Sequence, residues 1–359
     1  MSTETRLSLP VVASDAHLAH HGLVELLAGR EVPCFESPAR AIAIRRAVEA
    51  AGARLVAPVD HGIDPITAVH DLELVDLLEH AWDDAIAGGR DPARCLIPDT
   101  FRIDAYVGPM DLPELPIARH ERLGAYCFDT ATPIVAGTYG AARASVDIAL
   151  TALDLVVGGE RLAYALCRPP GHHAGRNLFG GYCYFNNAAI VAHRLTTLGA
   201  ERVAILDVDY HHGNGTQQLF WERGDVLYVS LHGDPRAAYP YYSGSAAETG
   251  AGAGEGTTRN VPLPSGTDGD GYLTALDDGL AAIAGFEPDA PLVVSVGFDT
   301  YHSDPICDLA LQTDDYRRIG RAVAQIGLAV VAIQEGGYAV EAIGRNAVAF
   351  LAGLGDGAG

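Results

Sequence analysis

The chain contains no lysine. All 24 of its basic residues are arginines, and 46 aspartates and glutamates outnumber them, which gives a formal net charge of −22. The absence of lysine excludes a pyridoxal phosphate Schiff base and a P-loop phosphate site. The shortage of positive charge argues against a nucleic-acid-binding protein, which needs a basic face. The acidic surface would attract a small cationic substrate, unless it has no binding role at all.

Long apolar runs and paired cysteines are also missing. No 18 consecutive residues are all apolar, so we predict no membrane span. The N-terminal residues show no basic segment followed by an apolar one, which predicts a cytoplasmic protein. No CxxC pair occurs, and most cysteines lie in apolar segments, as free buried thiols do. The cysteines are Cys34, Cys95, Cys127, Cys167, Cys183 and Cys307.

What is present is an alternation of helix and strand patterns over 359 residues, 48% of them hydrophobic. Capped or periodic segments predict helices at 37–52, 132–158, 271–285 and 313–327. Apolar runs predict buried strands at 202–208, 226–231, 291–297 and 329–334. This alternation is typical of α/β proteins. We predict one domain, residues 1–359, with three layers and a sheet of about eight mostly parallel strands flanked by helices.

Two long stretches show neither pattern. Residues 97–123 are rich in proline, aspartate and arginine, and residues 243–258 are rich in glycine, alanine and threonine. Each stretch is either a flexible surface loop or a wall of an active site, because long loops in compact domains are often functional.

Residues 205–217 read ILDVDYHHGNGTQ and carry a strong chemical signal. Asp207, Asp209 and His211 are spaced by two, so a strand points all three side chains to one side. Burying two carboxylates without partners is very costly, and a divalent ion bound by carboxylate and imidazole removes that cost. The set suits zinc or ferrous iron. The alternative is a buried ion-pair cluster.

A catalytic zinc ion takes three protein ligands and keeps one open position. Asp299 directly follows the predicted strand 291–297 and is the best third candidate, because ligand sites in open parallel sheets collect at the carboxyl ends of strands. His302 is its rival. Tyr338 follows the fourth predicted strand and two glycines. It either packs at the rim of the site or donates its hydroxyl to an oxyanion near the metal.

The stretch RPPGHHAG places His172 and His173 side by side behind a stiff turn. Water attacking an amide needs a base to take its proton and an acid to protonate the leaving amine. Two imidazoles with different partners can divide that work. Asp207 and Asn214 are the candidate partners, and an aspartate raises a histidine pKa more than an asparagine does. The alternative is a hydrogen-bonded loop corner.

Taken in order, RPPGHHAG, GGYCYFNNAA, ILDVDYHHGNGTQ, VSLHGDP, GFDTYHSDP and EGGY resemble the histone deacetylase superfamily, the zinc-dependent branch of the arginase–deacetylase fold. The resemblance covers most of the chain. Within the superfamily, LGAYCFDTATPIVAGTY, VSLHGDPRAAYPYYSG and EGGYAVEAIGRN are most similar to bacterial acetylpolyamine amidohydrolases. The resemblance implies removal of acetyl groups from acetylputrescine, acetylcadaverine or acetylspermidine.

The resemblance also implies two metal sites. One zinc ion per chain would be bound by Asp209, His211 and Asp299. A structural potassium ion would be held around Asp207, Asp209, His211, Ser230 and Leu231.

For the chemistry, the resemblance makes His173 the general base and acid, with Asn214 supporting it. His172, supported by Asp207, would act mainly through its charge. Tyr338 would polarise the acetyl carbonyl. The tunnel leading to these residues would be lined by Gly181, Tyr182 and Tyr239.

A homodimer is implied as well, with the inserted segment 97–123 narrowing the entrance so that thin acetylated amines enter and flat proteins do not. In the polyamine enzymes a carboxylate of that segment meets the distal ammonium. Here the counted position holds His120, and Glu121 stands beside it. Either residue would take the role, with Glu248 or Asp304 as substitutes.

Other activities are less consistent with the residues. Arginase chemistry needs a cluster of two metals, and the motifs supply one full site. The main alternative is deacetylation of acetyl-lysine in proteins, or hydrolysis of other short acyl amides. A third hypothesis is a binding protein that keeps the pocket without catalysis, although no expected ligand, histidine or tyrosine is missing.

Overall fold

The computed structural model describes residues 6–27, 29–103 and 116–357. Its centre is a sheet of eight strands in the order β4-β1-β5-β10-β9-β6-β7-β8, and all neighbouring pairs are parallel. A separate antiparallel hairpin joins β2 to β3. The strands are β1 Pro10–Val12, β2 Val24–Leu27, β3 Arg30–Pro33, β4 Arg54–Val56, β5 Leu162–Ala165, β6 Val203–Asp207, β7 Val226–Gly233, β8 Thr258–Leu263, β9 Leu292–Val296 and β10 Val330–Gln334.

Helices cover both faces of the sheet, as expected when every strand is parallel and needs a crossover connection. In the described residues they are α1 Pro38–Ala50, α2 Asp64–Thr67, α3 Leu72–Ala87, α4 Leu123–Tyr126, α5 Thr138–Val157, α6 Asn187–Thr197, α7 Asn214–Phe220, α8 Gly269–Phe286, α9 Thr313–Ala324 and α10 Val340–Asp356. Short 3₁₀ turns occur at Ala16–Ala19, Arg119–Arg122 and Gly252–Gly254. The predicted α/β fold is confirmed.

Strand residues alternate between two apolar layers. In β6, Val203 and Ile205 face the layer that contains α3, α5 and α6, whereas Ala204 and Leu206 face the layer of α1, α8, α9 and α10. Burying a large aliphatic side chain contributes about 1.5–3 kcal/mol. Because both faces are buried, the strands read as continuous apolar runs, which is why the sequence located them.

The predicted helices and strands lie within a few residues of their predicted bounds, with one larger difference. The helix predicted over 132–158 begins only at Thr138. Ile134 instead forms an isolated antiparallel bridge with Leu96, so the chain is extended there. The Thr138 hydroxyl then accepts a hydrogen bond from the Val135 amide at 2.8 Å, just before the helix.

The parallel arrangement brings the carboxyl ends of β5, β10, β9, β6 and β7 side by side at one edge. In open α/β sheets ligands bind at that edge. The motifs RPPGHHAG, ILDVDYHHGNGTQ, VSLHGDP, GFDTYHSDP and EGGY lie at or directly after the ends of these strands. All six cysteines are free, and four of them are buried. Among the described residues, no helix is both long and apolar enough to cross a membrane.

Candidate active site

Two carboxylates converge on one imidazole at the carboxyl ends of β6 and β9. The Nδ1 atom of His211 lies 3.2 Å from Asp209 Oδ1 and 3.1 Å from Asp299 Oδ2. All three side chains are buried. Backbone amides fix the carboxylates: Gly336 N donates to Asp209 at 2.7 Å and Tyr210 N donates to Asp299 at 2.9 Å. We call Asp209, His211 and Asp299 the acid–imidazole cluster.

The donor atoms of this cluster fit a divalent metal. Nδ1 of His211 carries at most one proton, so it can donate to only one of the two facing carboxylate oxygens. Burial and the charge of Asp209 raise the pKa of Asp299 to about 7, since two carboxylates so close resist being charged together. A cation among the three atoms satisfies both carboxylates and the imidazole at once.

Glycines make room for the cluster. A Cβ atom at Gly297 would lie 2.0 Å from an Asp209 oxygen, and one at Gly336 would lie 2.3 Å from an Asp299 oxygen. Neither position could hold a larger residue without displacing a carboxylate. The EGGY sequence is therefore needed for close approach as well as for its tyrosine.

Two other groupings of ligand-type residues fit a metal less well. Cys307 Sγ lies 3.9 Å from Nε2 of His211, on the ring nitrogen opposite the carboxylates. His172, Cys183 and Glu335 are also close together. The Glu335 oxygens, however, already accept hydrogen bonds from Gly171 N at 2.6 Å and from the Ser295 hydroxyl at 3.1 Å.

The tandem histidines lie beside the acid–imidazole cluster with different partners. His172 Nδ1 is 3.0 Å from Asp207 Oδ2, and His173 Nδ1 is 2.7 Å from Asn214 Oδ1. Their ring centroids are 4.1 Å apart, and the His173 ring is 6.0 Å from that of His211. The structure thus brings together the partners that the sequence suggested.

These partners separate the two histidine pKa values. Burial disfavours a charged His172, but Asp207 and Asp209 outweigh it and raise its pKa to about 10. Burial lowers the pKa of His173 well below its ordinary value, and the neighbouring His172 and His211 lower it further. One imidazole therefore holds a proton at neutral pH while its neighbour is free to accept one, a division typical of acid–base sites.

Tyr338 is held in place by its backbone. Asp304 is buried and accepts hydrogen bonds from the amides of Tyr338 at 2.7 Å and Ala339 at 3.1 Å. The guanidinium of Arg40 lies 4.9 Å from the centre of the Tyr338 ring. Burial raises the pKa of the Tyr338 hydroxyl well above its ordinary value, so it keeps its proton.

A cavity of about 200 Å³ leads to this site, and we call it the tunnel. His173, His211 and Tyr338 lie along its wall. The Tyr239 ring is 5.2 Å from that of His173, and the Tyr182 ring is 5.7 Å from that of Tyr338. The complete lining is Glu25, Leu26, Leu27, Phe35, Asp129, Ala131, His173, Gly181, Tyr182, His211, Tyr239, Tyr241, Ile306 and Tyr338. The three residues predicted to line a tunnel are all among them.

A wider groove of about 750 Å³ reaches His173 and Asn214 from another direction. Of the stretch 243–258, Ser243 and Glu248 line this groove, and none of its residues lines the tunnel. Within the described part of the chain, the groove does not include Tyr338 or the acid–imidazole cluster.

Several predicted residues lie elsewhere. His302 is exposed and does not join the acid–imidazole cluster. His120 lines a separate cavity with Glu31 and Leu123, and Glu121 is exposed. Glu248 accepts hydrogen bonds from Gln217 at 2.6 Å and from Gly244 N at 3.0 Å, away from the tunnel. The middle of the segment 97–123, residues 104–115, lies outside the described residues.

The residues predicted to hold potassium are buried around the end of β6. Asp207 pairs in register with Ser230 on β7, and Leu231 follows it. Asp207 Oδ2 also accepts a hydrogen bond from the Tyr228 hydroxyl at 3.0 Å. This potassium site stays a prediction.

A buried ion-pair cluster behind the site was not expected. Arg40 and Arg168 contact the same carboxylate oxygen of Glu36 at 2.7 and 2.9 Å. Arg40 also donates to the Glu335 carbonyl at 2.6 Å, and Arg168 donates to the His17 carbonyl at 2.6 Å. We call Glu36, Arg40 and Arg168 the arginine–glutamate cluster. It links α1, the RPPGHHAG corner and the EGGY segment.

The sequence analysis also missed Asp129, Glu25 and Glu335. Asp129 lies inside the quoted segment LGAYCFDTATPIVAGTY, and Glu335 begins EGGY. A charged residue among apolar and aromatic neighbours was the available signal. Glu25 lies on the β2 hairpin, which no sequence pattern predicted.

The protein is an α/β protein with a parallel sheet, and the acid–imidazole cluster lies at the carboxyl edge of that sheet. The model of the histone deacetylase domain matches residues 34–354, and the chain belongs to the histone deacetylase family. It is 49% identical over 345 residues to acetylpolyamine amidohydrolase 1 of Pseudomonas aeruginosa, covering 95% of this chain and 97% of that one.

Two further comparisons agree. The chain is 44% identical over 345 residues to acetylpolyamine amidohydrolase of Mycoplana ramosa, covering 96% of this chain and 99% of that one. The fold is similar to the crystal structure of acetylpolyamine aminohydrolase from Burkholderia pseudomallei, with a TM-score of 0.90 and 37% identity. That similarity covers 97% of this chain and 99% of the other.

Proposed function

We propose that this protein is a zinc-dependent amidohydrolase that removes acetyl groups from N-acetylated polyamines such as acetylputrescine, acetylcadaverine and acetylspermidine. The observation that supports the proposal is the pair of histidines next to the acid–imidazole cluster, His172 paired with Asp207 and His173 with Asn214. The names of the relatives, amidohydrolases of acetylpolyamines at 44–49% identity, support the same chemistry.

Asp209, His211 and Asp299 would hold the metal, which matches the three protein ligands of a catalytic zinc site. When bound there, zinc supplies Lewis acidity that lowers the pKa of a water molecule and polarises the acetyl carbonyl. Ferrous iron suits the same ligands.

His173 is the proton carrier. Because its pKa is lowered, it is neutral at physiological pH and takes the proton of the attacking water. It then returns that proton to the amine nitrogen as the amide bond breaks, so acetate and a free amine leave. His172 keeps its own proton beside Asp207 and favours the developing negative charge.

Tyr338 stabilises the oxygen that becomes negative. Tyr338 lines the tunnel, its hydroxyl keeps its proton, and Asp304 fixes its backbone amide, so little reorganisation is needed when charge develops. Asn214 orients His173 without adding charge, which keeps that imidazole a free base.

The size of the tunnel favours a slender substrate. A volume of about 200 Å³ between tyrosine rings accepts an alkyl chain, while drug-sized ligands occupy roughly 300–1,000 Å³. An acetyl-lysine side chain has the same width, so deacetylation of proteins is the alternative, along with other short acyl amides. A protein that binds without turnover is the third.

The first experiment compares initial hydrolysis rates of acetylputrescine and an acetyl-lysine peptide by the zinc-loaded protein, with Tyr338→Phe as the reference. We expect acetylputrescine to react faster, and Tyr338→Phe to keep its zinc while losing roughly 10²–10³-fold in kcat. Faster turnover of the peptide would contradict the polyamine assignment. A fully active Tyr338→Phe would remove the tyrosine from the mechanism, and stoichiometric zinc without turnover would favour the binding protein.

The remaining parts of the proposal rest on the sequence and its resemblance. They are one catalytic domain over residues 1–359, a structural potassium ion, a homodimer and a cytoplasmic location. An approach of His120 or Glu121 to the distal end of the substrate would require the proposed homodimer, because neither residue lines the tunnel of its own chain.

A further inference from the structure

The tunnel contains a carboxylate that the proposed chemistry does not use. Asp129 follows α4 and lines the tunnel. Its Oδ2 atom accepts hydrogen bonds from the Tyr239 hydroxyl at 2.8 Å and from Gly181 N at 2.7 Å. One carboxylate thereby connects two walls of the tunnel.

The charge of Asp129 has no counter-charge beside it. Its Oδ1 atom accepts from Ala131 N at 3.0 Å, and every donor to the carboxylate is a neutral group. Among the residues described here, no arginine or histidine lies within ion-pair distance of it, and no arginine lines the tunnel. In a cavity of low dielectric constant such a charge attracts cations strongly.

Asp129 is also close to the reacting groups. The ring of Tyr239 lies 5.2 Å from His173 and 6.0 Å from His211, and its hydroxyl meets Asp129 directly. One tyrosine ring therefore separates the carboxylate from the histidines. An acetylated diamine whose acetyl end lies at the histidines would extend past this ring to reach the carboxylate.

Glu25, the second carboxylate of the tunnel, differs from Asp129. It is only 2% exposed and accepts a hydrogen bond from the Tyr182 hydroxyl at 2.7 Å. Burial raises its pKa, which favours the uncharged form. Glu25 is thus a support for the Tyr182 ring, and Asp129 is the carboxylate that remains available to a substrate.

We propose that Asp129 determines specificity by binding the ammonium group at the distal end of an acetylated diamine whose acetyl end lies at the histidines. The inference rests on the proposed function and names the residue that selects its substrate class. An ammonium group can add a charge-assisted hydrogen bond to a carboxylate that neutral donors already hold in place.

A purely structural role for Asp129 makes a different prediction. Gly181 and Tyr182 have φ angles of +57° and +65°, a left-handed conformation that is unusual for tyrosine. Asp129 holds the first amide, and the Thr132 hydroxyl holds the second at 2.9 Å. If this support were its only role, loss of the charge would affect cationic and neutral substrates equally.

The test compares kcat/KM of the zinc-loaded enzyme for acetylcadaverine and for N-hexylacetamide, in which a methyl group replaces the ammonium. Asp129→Asn keeps an acceptor oxygen and removes the charge. We expect it to lower kcat/KM for acetylcadaverine roughly ten- to a hundred-fold, mainly through KM, and for N-hexylacetamide no more than about three-fold. Glu25→Gln, the matched control, should change both substrates alike.

Binding of cadaverine, measured by calorimetry, gives a readout independent of turnover. The parent should bind it more tightly than Asp129→Asn does, and Asp129→Glu, which keeps the charge, should retain most of the affinity. If Asp129→Asn does not fold, Asp129→Ser, which also removes the charge and keeps an acceptor oxygen, replaces it in the comparison.

Equal losses for both substrates in Asp129→Asn would overturn the assignment in favour of the supporting role. If Glu25→Gln lost as much preference for the cationic substrate as Asp129→Asn does, the assignment would be overturned. The preference would then come from the combined charge of the tunnel and not from Asp129. If the parent hydrolysed neither substrate, the proposed function would fail, while the cadaverine measurement would still decide whether Asp129 binds an ammonium.

Discussion

Two buried clusters of charge lie close together in this protein and differ in how their charge is balanced. In the arginine–glutamate cluster, Glu36 forms ion pairs with two guanidinium groups at 2.7 and 2.9 Å, and these groups also donate hydrogen bonds to backbone carbonyls. In the acid–imidazole cluster, two carboxylates face one imidazole nitrogen. The first sets one carboxylate against two guanidinium groups, whereas the second sets two carboxylates against one imidazole nitrogen, whose single proton can satisfy only one of them.

The comparison of the two clusters distinguishes charges that stabilise the fold from charges that are available to a ligand. Buried ions are costly unless partners compensate them. Burial by itself would raise the pKa of Glu36, but Arg168 and Arg40 outweigh burial and hold it below its ordinary value. For Asp299, burial and Asp209 act in the same direction and raise the pKa to about 7. A buried carboxylate with a raised pKa beside another carboxylate indicates a place for a cation.

The largest effect that would test this comparison is on metal content. We expect Asp209→Ala to reduce zinc from about one ion per chain to below roughly a tenth after dialysis, with loss of activity, because two ligands hold zinc poorly. Atomic emission on purified protein measures it. Glu36→Gln is the control, and its folded fraction should keep its zinc. Unchanged zinc in Asp209→Ala would remove Asp209 from the ligand set.

The acid–imidazole cluster was predictable from sequence because the parallel topology brings its residues together at the ends of neighbouring strands. Strand β6 ends at Asp207, while Asp209 and His211 follow it at spacings of two, and Asp299 follows the neighbouring strand β9. The carboxyl ends of neighbouring parallel strands meet at one edge, so residues 88 or more positions apart, such as His211 and Asp299, come together. The partners of His172 and His173 followed from the same logic.

The arginine–glutamate cluster and Asp129 could not be predicted in that way. Arg40 lies on α1 and Arg168 lies on a loop after β5, so their convergence on Glu36 depends on helix packing and not on strand register. Asp129 reaches the tunnel through hydrogen bonds to loops at Gly181 and Tyr239. Loop contacts over such separations leave no periodic pattern in a sequence.

The second prediction concerns stability. Glu36→Gln leaves two buried guanidinium groups without their anion, and we expect the free energy of unfolding to fall by about 3–5 kcal/mol. Urea denaturation of the zinc-loaded protein at neutral pH measures it. Glu49→Gln is the matched control, since Glu49 pairs with Arg45 on the same helix but is exposed. That change should cost no more than about 0.5 kcal/mol. Equal effects of the two substitutions would show that the arginine–glutamate cluster contributes no more than a surface pair.

The smallest predicted effect is the pH dependence of that difference. Because the pKa of Glu36 is lower in the folded protein than its unfolded value of about 4.3, its stabilisation is complete above that pH. It is lost as the pH falls through the folded pKa, where Glu36 becomes as neutral as glutamine. The gap in unfolding free energy between the parent and Glu36→Gln should therefore be constant from pH 7 to about 5 and shrink toward pH 3. Burial lowers the pKa values of His17 and His20 to about 4 and about 3, and Glu36 raises both, so their titration enters the difference only at the acid end of this range. A gap that stayed constant down to pH 3 would mean that the shape of Glu36, and not its charge, stabilises the cluster.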